Sequence, residues 1–509
     1  MRLPQGFTGD LVAGLSVAVV AIPQSLAYAD LAGMPAVSGL YATALPPLVA
    51  ALFASSPYLM TGPVAVTALL TYGALSSRAD PGSPEYMRLG LALALIVGVV
   101  RIALGLLRAG WVAYLMSHPV LLGFVPAAAL LIATSQTPKG FGVEDAPDYD
   151  NQVFSAVWAL GHPGHWQAAP MIVAGLTVAV IVLGRRIHVL FPGVLISAVA
   201  ATAIAAAGGY SGTQIDDIPA GLPPITVDDL PWSDVPSLAL AGLVIALVGF
   251  TEAASISRRF AAQDRTRWDA DREFVSQGAA NVAAAFSGGF PCGGSFSRSA
   301  VARVSGARTR LAGAITGITV LLFLPFAHIL EPMPEATLAG IVISAVFGLL
   351  RFRAMWALWR ISVPQAVIAW GTFAATLLLA PRIDIAVLIG IGGSLAVFLA
   401  RALRLDVDVS VLETSQGTLL TLTPRGILWF GTAQRLDVAV SDALEAHPGM
   451  WRVEFDLSGL GRIDTTGALV LRSALAHARA IGLEAEITRV PPQSAALTAR
   501  ILAAGDELD

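Results

Sequence analysis

Long apolar runs separated by short polar segments follow one another along the chain up to about residue 402. A helix needs about 20 apolar residues to cross the hydrocarbon core of a bilayer. The runs that approach this length are 11–29, 37–55, 89–107, 119–137, 169–184, 190–207, 238–256, 312–330, 336–350, 364–380 and 383–400. Three further segments, 63–76, 274–287 and 295–305, are apolar but too short or too broken to cross alone. Counted as partial or tilted elements, they bring the prediction to fourteen membrane elements in an all-α domain.

The pattern changes near residue 404, where charged residues become frequent and the apolar runs shorten. We therefore expect a membrane domain over 1–404 and a second domain over 405–509. Strand-like runs ("VDVSVLE", "TLLTLTP", "GILWFG", "RVEFDLSGL" and "AEITRV") alternate there with the helical stretches "TAQRLDVAVSDALEAH" and "DTTGALVLRSALAHARAIG". Such alternation predicts a small α/β fold. Asp464 is placed to cap the second of these helices.

The composition agrees with a membrane protein. The chain is 55% hydrophobic and 13% charged, whereas soluble domains carry about 25% charged residues. The formal net charge of −4 gives no reason to expect a nucleic-acid partner. The sole cysteine, Cys292, cannot form an intrachain disulfide. The N-terminus runs straight into 11–29 without a cleavage site of small residues, so we interpret this run as a retained helix rather than a signal peptide.

The arginines predict how the chain is oriented, because cytoplasmic loops retain basic residues. Arginines follow the even-numbered elements, at 185–186, 258–272, 303–310, 351–360 and 401–404. The loop 209–236 instead has no lysine or arginine and carries Asp216, Asp217, Asp228, Asp229 and Asp234. A second acidic loop contains Glu144, Asp145, Asp148 and Asp150, with Lys139 as its one lysine. We expect a multi-pass protein of the cell membrane with both termini in the cytoplasm.

The two halves of the membrane domain contain a related segment. "AGLSVAVVAIPQSLA" (13–27) aligns with "AGLVIALVGFTEAAS" (241–255), and Gln24 in the first copy then matches Glu252 in the second. These are the main polar groups deep in their helices. Since seven elements per half is an odd number, the second copy has inverted topology, as in many secondary transporters.

Each half also contains a broken segment with a short helix. In "TGPVAV" (61–66), Gly62 and Pro63 come just before the helix, and proline suits the first helical position. In "CGGSFSRSAV" (292–301), Ser295 is the expected N-cap. Two half-helices whose N-termini meet in the bilayer would present unpaired N–H groups to an anion. Arg298 would add positive potential, since an arginine at this depth faces a cavity or a partner.

The chain lacks the motifs of an ATP-driven pump or a membrane enzyme. It has no phosphate-binding loop, no metalloprotease pair of histidines and no nucleophile elbow. We therefore expect a transporter that is not an enzyme and holds no metal or other cofactor.

With both halves in view, the chain resembles the sulfate permease (SulP) family of anion transporters, which are related to the animal anion exchangers and prestin. The resemblance rests on "AVVAIPQSLAYADLAGMPAVSGLYA" (18–42), "TGPVAV" (61–66), "GGSFSRSAV" (293–301) and "DLSGLGRIDTTGA" (456–468). It implies a seven-plus-seven inverted repeat similar to uracil permeases. A core (about 10–110 and 237–330) would move against a gate (about 111–208 and 336–402) in an elevator-like cycle, within a homodimer.

The same resemblance implies which residues bind the anion. Carried over position by position, the site consists of Gln24, Val64, Ala65, Glu252, Ser295, Phe296, Ser297 and Arg298. Position 64 departs from many animal members, in which it is phenylalanine, so a larger anion would have room. A protonated Glu252 would not repel an anion, and burial favours the neutral carboxyl. Glu252 is therefore the expected proton-coupling residue, with H⁺ as the coupling ion.

The C-terminal domain resembles the sulfate-transporter and anti-sigma-antagonist (STAS) domain. Thr465 falls where bacterial regulators with this domain are phosphorylated, which makes it a candidate phosphorylation site. The domain would bind a cytoplasmic regulatory partner.

Taken together, the sequence predicts a secondary active anion transporter. The preferred hypothesis is proton-coupled symport of a small carboxylate, dicarboxylate, bicarbonate or sulfate. Two alternatives stay open: a nucleobase permease on the same fold, and an uncoupled anion channel or exchanger.

Overall fold

The computed structural model describes residues 6–114, 117–147, 149, 151–188, 190–215, 218–219, 221–225, 230–415 and 417–503. The loop aspartates Asp148, Asp150, Asp216, Asp217, Asp228 and Asp229 lie outside these residues. The chain forms two compact units, which divide between residues 394 and 395.

The first half of the first unit is helical apart from one short strand. Its elements are α1 (Phe7–Leu31), α2 (Ala36–Phe53), β1 (Met60–Gly62), α3 (Ala65–Leu75), α4 (Pro84–Leu106), α5 (His118–Ser135), α6 (Thr137–Phe141), α7 (Gln152–Gly161), α8 (Ala168–Ile187) and α9 (Gly193–Ala206). Within the described ranges, α5 and α6 form one apolar span.

The second half repeats this order. It contains α10 (Val235–Asp264), α11 (Ala270–Phe286), β2 (Gly293–Ser295), α12 (Phe296–Val304), α13 (Leu311–Phe323), α14 (Glu335–Val346), α15 (Phe352–Ile361), α16 (Val363–Leu378) and α17 (Ile383–Ala402). In each half a strand and a short helix follow the second long helix. A short helix, α7 or α15, also separates the fifth and sixth membrane elements. The predicted all-α membrane domain with two seven-element halves is confirmed.

Two of the predicted spans are shorter than expected. Among the described residues, nine helical stretches are long and apolar enough to cross a membrane. The runs 190–207 and 364–380 instead form α9 and α16, with 14 and 16 residues. Hydropathy alone overestimated both, because an apolar run continues through the turns that end a helix.

Glycines allow the helices of this unit to approach closely. A Cβ built on Gly39 of α2 would lie 2.0 Å from the Ser25 carbonyl oxygen of α1, and one on Gly123 of α5 would lie 2.0 Å from the Ala369 carbonyl of α16. Small residues at helix contacts are typical of membrane bundles, where close van der Waals packing holds helices together. The helices α1 and α2 pack against α13, and α4 packs against α11. The helices α5 and α8 pack against α16 and α14, respectively.

The second unit is an α/β domain, as predicted. After the end of α17 it contains β3 (Leu405–Thr414), β4 (Gly417–Leu428), α18 (Ala433–Ala446), β5 (Met450–Asp456), β6 (Leu460–Ile463), α19 (Thr465–Ala480), β7 (Glu484–Thr488) and α20 (Pro492–Ala503). The sheet has the order β3-β4-β5-β7, and β6 pairs with β4. The β3–β4 pairing is antiparallel and the other pairings are parallel.

One strand assignment in this unit was wrong. The runs "TLLTLTP" and the start of "GILWFG" belong to a single strand, β4, because Pro424 continues the extended backbone opposite Val407 of the edge strand β3. The predicted cap is confirmed, since the Asp464 carboxylate accepts a hydrogen bond from the Gly467 N–H at 2.7 Å.

A buried carboxylate, that of Asp456, lies at the C-terminal end of β5. Asp456 is 2% exposed and accepts hydrogen bonds from the Ser458 N–H at 3.0 Å, from the Thr423 hydroxyl and from the Arg489 guanidinium. Burial raises the pKa of Asp456, but these hydrogen bonds and the Arg489 charge outweigh it, so its pKa lies below the ordinary value. A depressed pKa stabilises the fold above the unfolded-state pKa, and this stabilisation is lost as the pH falls through the folded-state value.

We therefore expect Asp456→Asn to loosen this end of the sheet at neutral pH by about 1–3 kcal/mol, because several donors lose a charged acceptor. Amide hydrogen exchange of 450–456 in the intact chain should become correspondingly faster. The difference from wild type should shrink toward acidic pH. Unchanged exchange at pH 7 would contradict this account.

Candidate functional site

The two broken segments meet in a short antiparallel ribbon. Strand β1 pairs with β2, in the register Met60 with Ser295, Thr61 with Gly294 and Gly62 with Gly293. The helices α3 and α12 each begin within three residues of the end of a strand. The backbone pairing therefore holds the N-termini of both half-helices at one ribbon, as the sequence predicted.

The start of α3 differs from the prediction in one detail. Helix α3 begins at Ala65 and its N-cap is Val64, so Pro63 lies outside the helix and not at its first position. Val64 has extended backbone (φ −137°, ψ 150°), and no side chain caps the helix among the described residues. The first-turn N–H groups of α3 are thus left without a side-chain acceptor, which is the condition for binding an anion at a helix N-terminus.

The start of α12 follows the prediction. Ser295 is the N-cap, and its hydroxyl accepts a hydrogen bond from the Arg298 N–H at 3.4 Å. The same hydroxyl lies 3.3 Å from that of Ser297. Two hydroxyls therefore lie at the positive end of this half-helix. A hydroxyl can turn its hydrogen toward a ligand, so both can also serve as donors.

Arg298 connects the two half-helices. Its side chain is 1% exposed, and its Nη2 donates to the Pro63 carbonyl at 2.5 Å. A Cβ built on Gly62 would lie only 2.9 Å from Nη1 of Arg298, so a larger residue there would have to displace the guanidinium. The Nε of Arg298 is buried and has no hydrogen-bond partner in the described part of the chain. The arginine thus retains an unused donor.

Two long helices flank the ribbon and carry the matched polar residues. Both α1 and α10 pack against α3 and against α12. Gln24 of α1 is 1% exposed, and its Oε1 has no partner among the described residues. Glu252 of α10 is half-buried. Its carboxylate interacts electrostatically with Arg298, and both are in electrostatic range of Tyr28.

The residues of this site differ in exposure. Val64, Ala65, Ser295 and Arg298 are buried, whereas Phe296 is 43% exposed and Ser297 is half-buried. The Arg259 guanidinium lies over the Phe296 ring, 5.4 Å from its centre. The Arg298 charge and the start of α3 are therefore buried, whereas the side chains of Phe296 and Ser297 are more accessible.

One face of α10 leads from this site toward the end of the helix. Glu252, Ser255 and Arg259 recur at the spacing of a single helix face. Glu252 is half-buried, and the other two are exposed. Glu252 is therefore accessible along this face of α10 from the C-terminal end of the helix, which is Asp264.

One charged residue beside the ribbon, Arg101, was not among the site residues predicted from the sequence. Arg101 lies in the apolar run 89–107 and is fully buried next to β2. An ionisable residue inside a membrane helix is itself a signal of function, and this signal was available from the sequence.

Three other kinds of feature could form a functional site: a cavity, a metal-binding cluster and the candidate phosphorylation site Thr465. A cavity of about 840 Å³ between the end of α3, the start of α4 and the start of α10 is lined by Arg78, Asp80, Glu85 and Arg88. It does not include any of the predicted site residues. The described residues contain no cluster of three or more His, Cys, Asp or Glu that could hold a metal ion. Thr465 is the exposed first residue of α19.

The family profiles match both units. The profile described as the sulfate permease family matches residues 7–372. The profile described as the STAS domain matches residues 410–505.

The names of curated relatives agree with the family profile. A protein named probable sulfate transporter 4.2 from Arabidopsis thaliana is 36% identical over 411 residues, which are 78% of this chain and 59% of that protein. A probable sulfate transporter from Mycobacterium tuberculosis is 34% identical over 379 residues, which are 72% of this chain and 66% of that protein. The chain thus spans less than two thirds of these relatives' length. Their names are those of transporters, not of enzymes.

Solved structures share the fold. The murine Solute Carrier 26 family member A9 anion transporter, in the inward-facing state, has a TM-score of 0.88 at 20% identity, covering 98% of this chain and 88% of that one. The transmembrane domain of a cyanobacterium bicarbonate transporter, BicA, has a TM-score of 0.64 at 23% identity, covering 77% of this chain and 98% of that one. The profile match over most of the chain and the two relatives above 30% identity confirm the resemblance seen in the sequence: this chain is a multi-pass membrane protein that belongs to the sulfate permease family.

Proposed function

We propose that this protein is a secondary active transporter of small anions, with sulfate as the leading substrate and a proton as the coupling ion. The observation that carries the proposal is the β1–β2 ribbon, which brings two half-helix N-termini and Arg298 together. The first turn of α3 and the Nε of Arg298 have donors that no described side chain uses. Such a set of donors is matched to an oxyanion.

The substrate class follows from the charges and from the relatives' names. Arg298 is fully buried, and no carboxylate lies within ion-pair distance of it among the described residues. An unpaired buried cation is costly, and a bound anion would offset this cost. The curated relatives are named as sulfate transporters, and a structural neighbour is named as a bicarbonate transporter. A neutral nucleobase would leave the arginine uncompensated, which disfavours that alternative.

Glu252 is the proposed proton-binding residue. It interacts with Arg298 and is accessible along the exposed face of α10. An ionised Glu252 would compete with the anion for the arginine, whereas a protonated one would not. Anion and proton would therefore bind together and be released together. Without this coupling, the same site would support an uncoupled exchanger or channel.

An ion cluster suggests how the site alternates between the two sides of the membrane. Lys139 Nζ lies 2.5 Å from Asp30 Oδ1, at the end of α1, and 3.3 Å from Glu335 Oε2, at the start of α14. Asp30 belongs to the proposed core, and the other two belong to the proposed gate. We propose that movement of the core breaks the bond to Asp30.

The protein would work as a homodimer in the cell membrane, with cytoplasmic termini and a regulatory partner at the STAS domain.

The first test is Glu252→Gln. In proteoliposomes an inward proton gradient should no longer drive sulfate accumulation, while sulfate–sulfate exchange persists, because glutamine mimics the protonated carboxyl. Radiolabelled sulfate uptake with and without the gradient measures both. Accumulation that still follows the gradient would exclude Glu252 from coupling, and wild-type uptake that ignores the gradient would favour the uncoupled exchanger.

The second test is Gly62→Ala, compared with Gly82→Ala. Both glycines have positive φ (+150° and +79°), which residues with a Cβ rarely adopt, so each alanine costs of order 1–3 kcal/mol in strain. Only at position 62 would the new Cβ meet the guanidinium of Arg298, since nothing lies within 4 Å at position 82. We expect Gly62→Ala to weaken sulfate binding about tenfold or more and the control to bind normally. Equal binding by the two variants would argue against Arg298 as a ligand.

The third test is Lys139→Met, compared with Arg303→Met. The Arg303–Asp264 pair joins α12 to α10 within the proposed core, so its loss should not change the conformational equilibrium. Loss of Lys139 should shift that equilibrium about fivefold toward the state with α1 and α14 apart, since a partly exposed ion pair contributes about 1 kcal/mol. Distances between spin labels on the ends of α1 and α14 measure the shift. The same shift in both variants would refute the assignment of Lys139 to the moving interface.

A further inference from the structure

A second buried arginine lies beside the ribbon. Arg101 of α4 is 0% exposed. Its Nη1 donates to the Cys292 carbonyl at 2.8 Å, its Nε to the Ala246 carbonyl at 3.1 Å and its Nη2 to the Ile245 carbonyl at 3.2 Å. Within the described ranges, no carboxylate lies within ion-pair distance of it. Its hydrogen bonds are therefore provided by neutral groups, and its charge is not neutralised by contact.

The position of Arg101 places this charge at the start of α3. Cys292 directly precedes β2. A Cβ built on Gly249 of α10 would lie 2.6 Å from Nη2 of Arg101 and 2.9 Å from Cγ2 of Thr67. Thr67 is in the first turn of α3. The guanidinium is thus adjacent to the half-helix N-terminus whose donors are uncapped.

Arg101 and Arg298 contact the same end of the ribbon, because Gly62, which precedes Pro63, pairs with Gly293, which follows Cys292. Arg298 binds the carbonyl of Pro63, which follows β1, and Arg101 binds the carbonyl of Cys292, which precedes β2. Cys292 is in electrostatic range of both arginines. Gly249, beside Arg101, is one helical turn from Glu252. Two cations therefore lie at one end of the ribbon, with the Glu252 carboxyl nearby on α10.

A structural role would not require the charge. Carbonyl groups accept hydrogen bonds from neutral donors as well as from charged ones, and a buried charge carries a desolvation penalty that a neutral residue avoids. A long-range effect on the binding of an anion, by contrast, depends on the charge itself. Two positive groups at one site, with Glu252 protonated, match an anion that carries two negative charges.

We propose that Arg101 is a specificity-determining residue: together with Arg298 it gives the site two positive charges, and it thereby sets a preference for divalent over monovalent anions. This inference rests on the proposed function, because it requires that the site bind an anion. It adds a residue that the family resemblance did not assign, and it narrows the candidate substrates to the divalent anions among them.

The test uses two ligands of similar size and different charge, sulfate and methanesulfonate. Their dissociation constants are measured on the purified full chain for wild type, Arg101→Gln and Arg101→Lys, with melting temperatures as a check on folding. Removing one positive charge reduces the electrostatic binding free energy of a divalent anion about twice as much as that of a monovalent anion. Arg101→Gln should therefore weaken sulfate binding about 25-fold and methanesulfonate binding about fivefold. Arg101→Lys should bind sulfate within about twofold of wild type.

A purely structural role predicts different results. If Arg101 only fastens three carbonyls, Arg101→Gln weakens both ligands equally or neither, and either result overturns the proposal. Lysine retains the charge but loses the planar fork of donors. Should Arg101→Gln not fold, Arg101→Lys therefore decides alone: wild-type preference for sulfate supports the proposal, and a lost preference overturns it. Wild-type protein that binds neither anion would overturn the proposed function itself, whereas wild-type binding with an indifferent Arg101→Gln overturns only this inference.

Discussion

The antiparallel pairing of β1 with β2 is the constraint on which the rest of the membrane unit depends. Three residues from each half exchange backbone hydrogen bonds deep in an otherwise helical unit. Non-helical backbone is tolerated at membrane depth only where protein or a water-filled cavity covers it, and α2 and α10 provide that cover here. Because the strands pair, the half-helices must begin beside each other. The site is thus a consequence of how the two repeats satisfy their own backbone.

This arrangement also explains why buried arginines are tolerated. Arg298 binds a carbonyl that follows β1, and Arg101 binds one that precedes β2. Each carbonyl is available because it lies outside regular helix. Two cations without contacting carboxylates nevertheless store unfavourable energy in the empty protein. An anion would relieve this cost, so the same feature that destabilises the empty site favours ligand binding. The proposed coupling through Glu252 depends on the same charges, because an ionised Glu252 would compete with the anion for them and a protonated Glu252 would not.

Local signals predicted much of this molecule. Ser295 and Asp464 cap helices as expected, since an N-cap depends on a side chain and a backbone N–H only three residues apart. Other local expectations were wrong: Pro63 precedes α3 instead of starting it, and a proline lies within β4. Pro424 is held in extended backbone by its pairing with β3, and Pro63 directly follows the last residue of β1 that pairs with β2. A local pattern cannot include a partner that is more than 200 residues away, as β2 is from β1.

The sequence by itself determined the two units, the order of the helices and the repeat that matches Gln24 with Glu252, because these follow from hydropathy and from residue types along a continuous stretch. Only the tertiary structure decided which donors are left unused and which charges are near each other. It placed Gly249 against both Arg101 and Thr67, three residues from different helices that no spacing connects. The physical reason is that an electrostatic site depends on distances in space and on burial. Both are set by how the helices pack and not by the order of residues within any one of them.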